Sequence, residues 1–108
     1  MEYSIANSFS KYPAGRFKTD GDYSGEHLRE IIDPMLKGPE PVIIDITGTE
    51  GYGSSFLEEA FGGLVRAGWS LKDLQDKLEI KADDTTEFYK KLIWSYLKEE
   101  SERCRKGA

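Results

Sequence analysis

Apolar residues recur along this chain in distinct rhythms, and each rhythm predicts an element. Tyr3, Ile5 and Phe9 sit on odd positions with polar residues between them, which predicts a half-buried strand that Asn7 interrupts. Pro13-Ala14-Gly15 signals a turn, and Arg16-Phe17-Lys18 then reads as a second short strand closing a hairpin with the first. Thr19 to Tyr23 is loop, turning at Asp20-Gly21. Ser24 is placed to cap a helix, with Glu26 in its first turn to complement the dipole. Leu28, Ile31, Ile32 and Met35 follow at i, i+3, i+4 and i+7 and form one face. Pro34 is expected to end that helix near Asp33 or to kink it.

Val42 to Ile46 shows no alternation, which predicts a central, parallel strand buried on both faces. Asp45 interrupts it, either bonded to loop amides or as a site residue at the mouth of the sheet. A loop with Gly48, Gly51 and Gly53 leads to the paired Ser54 and Ser55. A helix begins there, with Phe56, Leu57, Ala60, Phe61, Leu64 and Val65 on one half. Glu58 and Glu59 fall on the other half and read as a diverging, solvated face. Gly62 and Gly63 in mid-helix cost roughly 1 kcal/mol each against alanine, so another backbone is expected to press there. Gly68 ends the helix. Ser70-Leu71-Lys72-Asp73 is a capping box opening a short helical turn, and Leu78-Glu79-Ile80 alternates as a strand. Asp83, Asp84 and Glu87 start a last helix whose face is Phe88, Tyr89, Leu92, Ile93, Tyr96 and Leu97. Trp94 lies off that face, as a partner contact or a partly packed residue. The alternation predicts a small α/β sandwich, a mixed sheet of about four strands covered by amphipathic helices, in one domain over residues 1–108.

Composition narrows the function. With a net charge of −5 over 108 residues, the chain does not suit nucleic acid or an anionic membrane. Its basic cluster, Arg103, Arg105 and Lys106, reads as a solvated helix end. A single cysteine, Cys104, excludes an internal disulfide and a cysteine metal cluster, and no cofactor is expected. The N-terminus lacks the pattern of a signal peptide, and no apolar run approaches the roughly 20 residues of a membrane span. A cytoplasmic protein is the expectation.

The glycine loop has the G-x-x-x-x-G spacing of a phosphate loop, but Ser54 stands where the lysine belongs and Glu50 adds repulsion. That removes NTPase chemistry. Ser55 with Glu58 reads as a capping box worth roughly 1 kcal/mol, which leaves Ser54 as the freer hydroxyl. A phosphate at Ser54 would meet free N–H groups and the positive end of the helix dipole. The only histidine, His27, would have to meet Ser54 and Asp45 to make a hydrolase, and the chain is read as a non-enzyme. The alternative is a small-ligand, anion or nucleotide sensor. For it, Arg16, Asp20, Ser24 and Glu26 fold over the strand end and line a polar pocket with Asp45, Gly51 and Gly53. Arg16 serves equally as an ion-pair partner of Asp20 or Glu26.

Gly53-Ser54-Ser55-Phe56-Leu57, between an apolar strand and an amphipathic helix, resembles the switch region of STAS domains, the anti-sigma-factor antagonist fold. Those domains carry an Asp-Ser-Ser-Gly-Leu type sequence whose first serine is phosphorylated by a partner kinase. Here Gly53 replaces the aspartate and Phe56 the glycine. The chain more closely resembles a bacterial STAS-like family of unknown function. The matching segments are Gly15-Arg16-Phe17, Asp20-Gly21, Ser24-Gly25-Glu26 with Leu28-Arg29, Val42 to Ile46, and Ser55 through Leu64. The resemblance implies a non-enzymatic regulatory module, switched at Ser54 or Ser55, whose protein partner is a kinase-like ATPase of the histidine-kinase superfamily or an anti-sigma type.

Overall fold

Three short strands pair in parallel in the computed structural model, which describes residues 1–106. The Lys106 side chain and residues 107 and 108 lie outside the described residues, and with them the end of the expected basic cluster and of the expected 1–108 domain. The strands are β1 (Glu2–Ser4), β2 (Val42–Asp45) and β3 (Leu78–Lys81), with β2 in the middle. Tyr3 stands opposite Ile44, and Ile44 opposite Ile80. The helices are α1 (Gly25–Leu36), α2 (Ser54–Leu57), α3 (Gly63–Arg66), α4 (Leu71–Lys77) and α5 (Glu87–Lys106). A π-helical stretch, Glu58–Gly62, joins α2 and α3 into one continuous helical run, 54–66.

The apolar halves of these helices meet one face of the sheet. Val42, Ile44, Ile46, Leu78 and Ile80 face Leu28, Ile32, Leu57, Phe61, Leu64 and Leu97 in a single buried core. The opposite face carries Glu2, Ser4, Ile43, Asp45, Glu79 and Lys81, which share register across the strands. Caps fix where the helices begin: the Ser24 hydroxyl accepts from the His27 amide (3.2 Å) and the Ser70 hydroxyl from the Asp73 amide (3.1 Å), as expected.

Several expectations are corrected. The sheet is three-stranded and parallel among the described residues, not mixed and four-stranded, and there is no N-terminal hairpin. Ser4 ends β1 and caps a π-helical turn, Ile5–Phe9. Arg16-Phe17-Lys18 is not a strand, because its backbone closes the start of α1. The Gly25 amide donates to the Gly15 carbonyl (2.9 Å) and the Glu26 amide to the Arg16 carbonyl (3.0 Å). β2 is buried on one face only; its alternation is hidden because Ile43 occupies the open side. Pro34 neither ends nor shortens α1, which continues to Leu36; the proline itself sits on the exposed side of the helix. Phe88 is 69% exposed and leaves the core to its neighbours on α5, whereas Trp94 is partly buried against that core. No helix among the described residues is long and apolar enough to cross a membrane.

Candidate functional site

The glycine loop links the end of β2 to the 54–66 helix, and its backbone explains its composition. Gly48 and Gly51 hold φ of 86° and 125°, where a side chain would strain the chain. The loop is pinned at both ends. The Glu50 amide donates to the Lys11 carbonyl (2.8 Å), and the buried Tyr52 hydroxyl donates to the Ile46 carbonyl (2.8 Å). Burial pushes the Tyr52 phenol up to about 12, so it stays a donor.

The helix then starts two residues earlier than the capping box at Ser55 predicts. Gly53 is the N-cap, and it has no side chain to offer. Ser54 and Ser55 are both helical and both exposed. The expected capping box between Ser55 and Glu58 is absent, because the Glu58 carboxylate is bound elsewhere. The amides of Ser54, Ser55 and Phe56 donate to no described residue, unlike the amides at the sealed start of α1. Neither serine to alanine change is therefore expected to alter stability by more than about 0.5 kcal/mol. Gly53→Asp supplies the missing cap at a position with φ −77° and open space around a Cβ. It should raise stability by about 0.5–1 kcal/mol in urea melts. An unchanged midpoint would show that the helix start needs no cap.

Aromatic rings line this end of the molecule in a continuous path. Tyr23 packs edge-on to Phe9 (5.6 Å between centroids), Phe9 lies near Phe56 (6.3 Å), Phe56 near Tyr52 (5.9 Å), and Tyr52 meets Tyr89 edge-on (5.2 Å). Phe88 continues from Tyr89 at 5.8 Å. This path brings the starts of α1, the 54–66 helix and α5 together around the two serines.

One turn past the serines, three arginines gather on two glutamates. Arg16 reaches Glu58 at 2.6 Å and Glu59 at 3.4 Å. Arg66 reaches Glu58 at 2.7 Å, Glu59 at 3.3 Å and, on α5, Glu100 at 3.4 Å. Arg29 of α1 donates to Glu59, whose side chain is 8% exposed. The adjacent carboxylates thus converge on shared cations, contrary to the expected solvated face. The hydrogen bond from Arg66 lowers the Glu58 pKa, and Arg66 is raised in return. Gly62 and Gly63 make room for this cluster rather than for a backbone: a Cβ on Gly62 would stand 2.5 Å from a Glu58 oxygen, and one on Gly63 2.8 Å from Arg29.

The remaining predicted site residues do not converge on one pocket. Arg16 pairs with Glu58 and Glu59 instead of Asp20 or Glu26. Asp20 accepts from the Phe17 amide, Glu26 from the Lys18 amide, and Ser24 from the His27 amide. Asp45 lies on the open face of the sheet and accepts from the Thr47 amide (2.9 Å) and hydroxyl (2.7 Å), the loop-bonded arrangement of its two readings. His27 sits on the helix side, its Nδ1 against the Asp22 carbonyl (2.7 Å), so it is not brought to Asp45. A hollow of about 400 Å³ beside His27 is lined by Lys18, Gly21, Asp22 and Tyr23 and by none of the predicted pocket residues. Among the described residues no group of His, Cys, Asp and Glu is placed to hold a metal ion.

A family model described as "STAS-like domain of unknown function (DUF4325)" matches residues 24–87, more than half of the chain, from the cap of α1 to the first residue of α5. No curated protein and no solved structure matches it.

Proposed function

The chain belongs to the STAS-like domain family of unknown function, and on that premise we propose that it is a non-enzymatic regulatory module which docks a partner protein at the glycine-loop end. The partner is a kinase-like ATPase of the histidine-kinase superfamily or an anti-sigma type, and phosphorylation of Ser54, with Ser55 as the second acceptor, is the switch. The observation that supports this reading is the uncapped start of the 54–66 helix. Two exposed hydroxyls stand beside three backbone amides without acceptors, at the positive end of a helix. A phosphate there adds about −1.5 to −2 charge. The nearby Glu58 and Glu59 oppose it little, because Arg16, Arg29 and Arg66 already neutralise them.

The same free amides support a second reading, an anion or nucleotide sensor at the same loop. Incubation with a co-encoded ATPase and ATP, followed by intact mass and phosphosite mapping, separates the two. One phosphate on Ser54, lost in Ser54→Ala, is the expected result. An unmodified protein with a demonstrably active kinase, together with amide shifts on titration with inorganic phosphate or ATP alone, would favour the sensor.

A further inference from the structure

We infer that the segment of the partner which seats on this end is cationic, carrying arginine or lysine side chains over the aromatic path; this rests on the reading of the glycine-loop end as a docking end. Tyr12, Tyr23 and Phe88 are 68%, 47% and 69% exposed there, although Tyr23 and Phe88 pack on the partly buried rings of Phe9 and Tyr89. Large aromatic rings left in water at one end of a small domain mark a contact surface rather than a scattered apolar residue.

Charge decides what that contact is. Four exposed carboxylates lie by the rings: Asp22 next to Tyr23, Glu50 in the glycine loop against Lys11, Asp84 in the turn before α5, and Glu87, the first residue of α5, which adjoins Phe88 and also lines the hollow at Trp94. None of the four side chains has a partner among the described residues. The cations nearby are otherwise engaged. Arg16 is held by Glu58 and Glu59, and Lys18 by Glu30 at 2.9 Å. Lys11 is the exception, and Lys90 and Lys91 line the hollow at Trp94 on the flank of α5 together with Glu87, without an ion pair to it. The end therefore presents unpaired negative charge around the electron-rich faces of exposed rings. An arginine or lysine gains from both at once, through charge complementarity and through cation–π contact. An acidic or purely apolar segment gains from the rings alone and is repelled by the carboxylates.

The test uses the full-length protein and two synthetic amphipathic peptides of identical apolar sequence, one carrying arginines and the other glutamates at the polar positions. Amide shifts are followed by two-dimensional NMR at about 0.01 M and about 0.15 M salt, where the Debye length falls from about 30 Å to about 8 Å. The arginine peptide should shift amides of Tyr23, Gly48 to Ser55 and Asp84 to Tyr89, and bind more weakly at the higher salt. Asp22→Asn, Glu50→Gln, Asp84→Asn and Glu87→Gln combined should weaken it on the order of tenfold, each exposed pair contributing little alone. Phe88→Ala, exposed enough to leave folding unchanged, should weaken it severalfold. Equal binding of the glutamate peptide at this end, shifts confined to the Trp94 flank, or indifference to the four neutralised carboxylates would overturn the inference. The probe needs neither kinase nor phosphate, so a failed phosphorylation assay and a failed charge test remain separate results.

Discussion

Gly25→Ala is expected to destabilise the protein by about 3 kcal/mol, the upper end of what overpacking a tight contact costs. The sign is opposite to the local rule. Alanine in the first turn of a helix ordinarily gains roughly 0.5–1 kcal/mol over glycine. Gly25 does not hold a positive φ, so the backbone would tolerate the change. The obstacle is another helix. A Cβ on Gly25 would stand 2.4 Å from the Phe56 carbonyl oxygen and 3.1 Å from the Ala60 nitrogen, both backbone. α1 cannot slide away cheaply, because the Gly25 amide is fixed on the Gly15 carbonyl. In urea melts Gly25→Ala should unfold at a lower midpoint than the wild type, against the gain that propensity alone would give. Equal midpoints would show that the helices part without strain. Because Phe56 adjoins Ser54 and Ser55, any displacement that relieves the clash should also appear as amide shifts at the two serines.

That contact illustrates what the chain conceals from a reader of its sequence. β2, β3, the start of α1 at Ser24, the cap at Ser70 and the long C-terminal helix all follow from local rules, because each depends on residues within a few positions of itself. The pairing of β1 does not. Three residues cannot select a partner by alternation, and the slot beside Ile44 is decided by the core rather than by the nearest candidate strand. The same holds for β2, where Ile43 on the open face makes a one-sided strand look two-sided.

At the site, Ser54 and Ser55 were legible as a loop-to-helix junction, but the capping box was not realised. S-x-x-E is a local pattern, and Glu58 answers instead to Arg16, which lies 42 residues away, and to Arg66. Gly53, the position where the resembling STAS switch carries aspartate, then serves as a cap without a side chain. A signal for the arginine cluster was present in the helical phase: Glu59 lies three residues past Phe56 and four before Gly63, both buried, so it must point partly inward. A glutamate in that phase needs cations, and the nearest inward-facing one is Arg29, between Leu28 and Ile32 on α1.

Removing that glutamate carries the second large effect. Glu59→Ala is expected to cost about 3 kcal/mol, at the low end for breaking a buried ion pair because its arginines remain partly solvated. Arg29, 23% exposed, loses its acceptor, while Arg16 and Arg66 keep Glu58. Arg29→Met with Glu59→Met should recover much of the loss, since an apolar pair leaves no charge stranded. Additive losses in that cycle would mean the two side chains act independently. Acid provides a second readout through Glu58. Its pKa is lowered in the folded protein, first by the hydrogen bond from Arg66, so the pair's stabilisation is fully present above the ordinary glutamate value of 4.5 and is lost as pH falls through the folded value. Wild-type stability should thus hold level above that point and decline below it. Arg66→Met should show a flatter decline over the same range, because the folded Glu58 then titrates closer to its unfolded value. A decline of equal steepness in both would place the acid sensitivity in carboxylates outside the cluster.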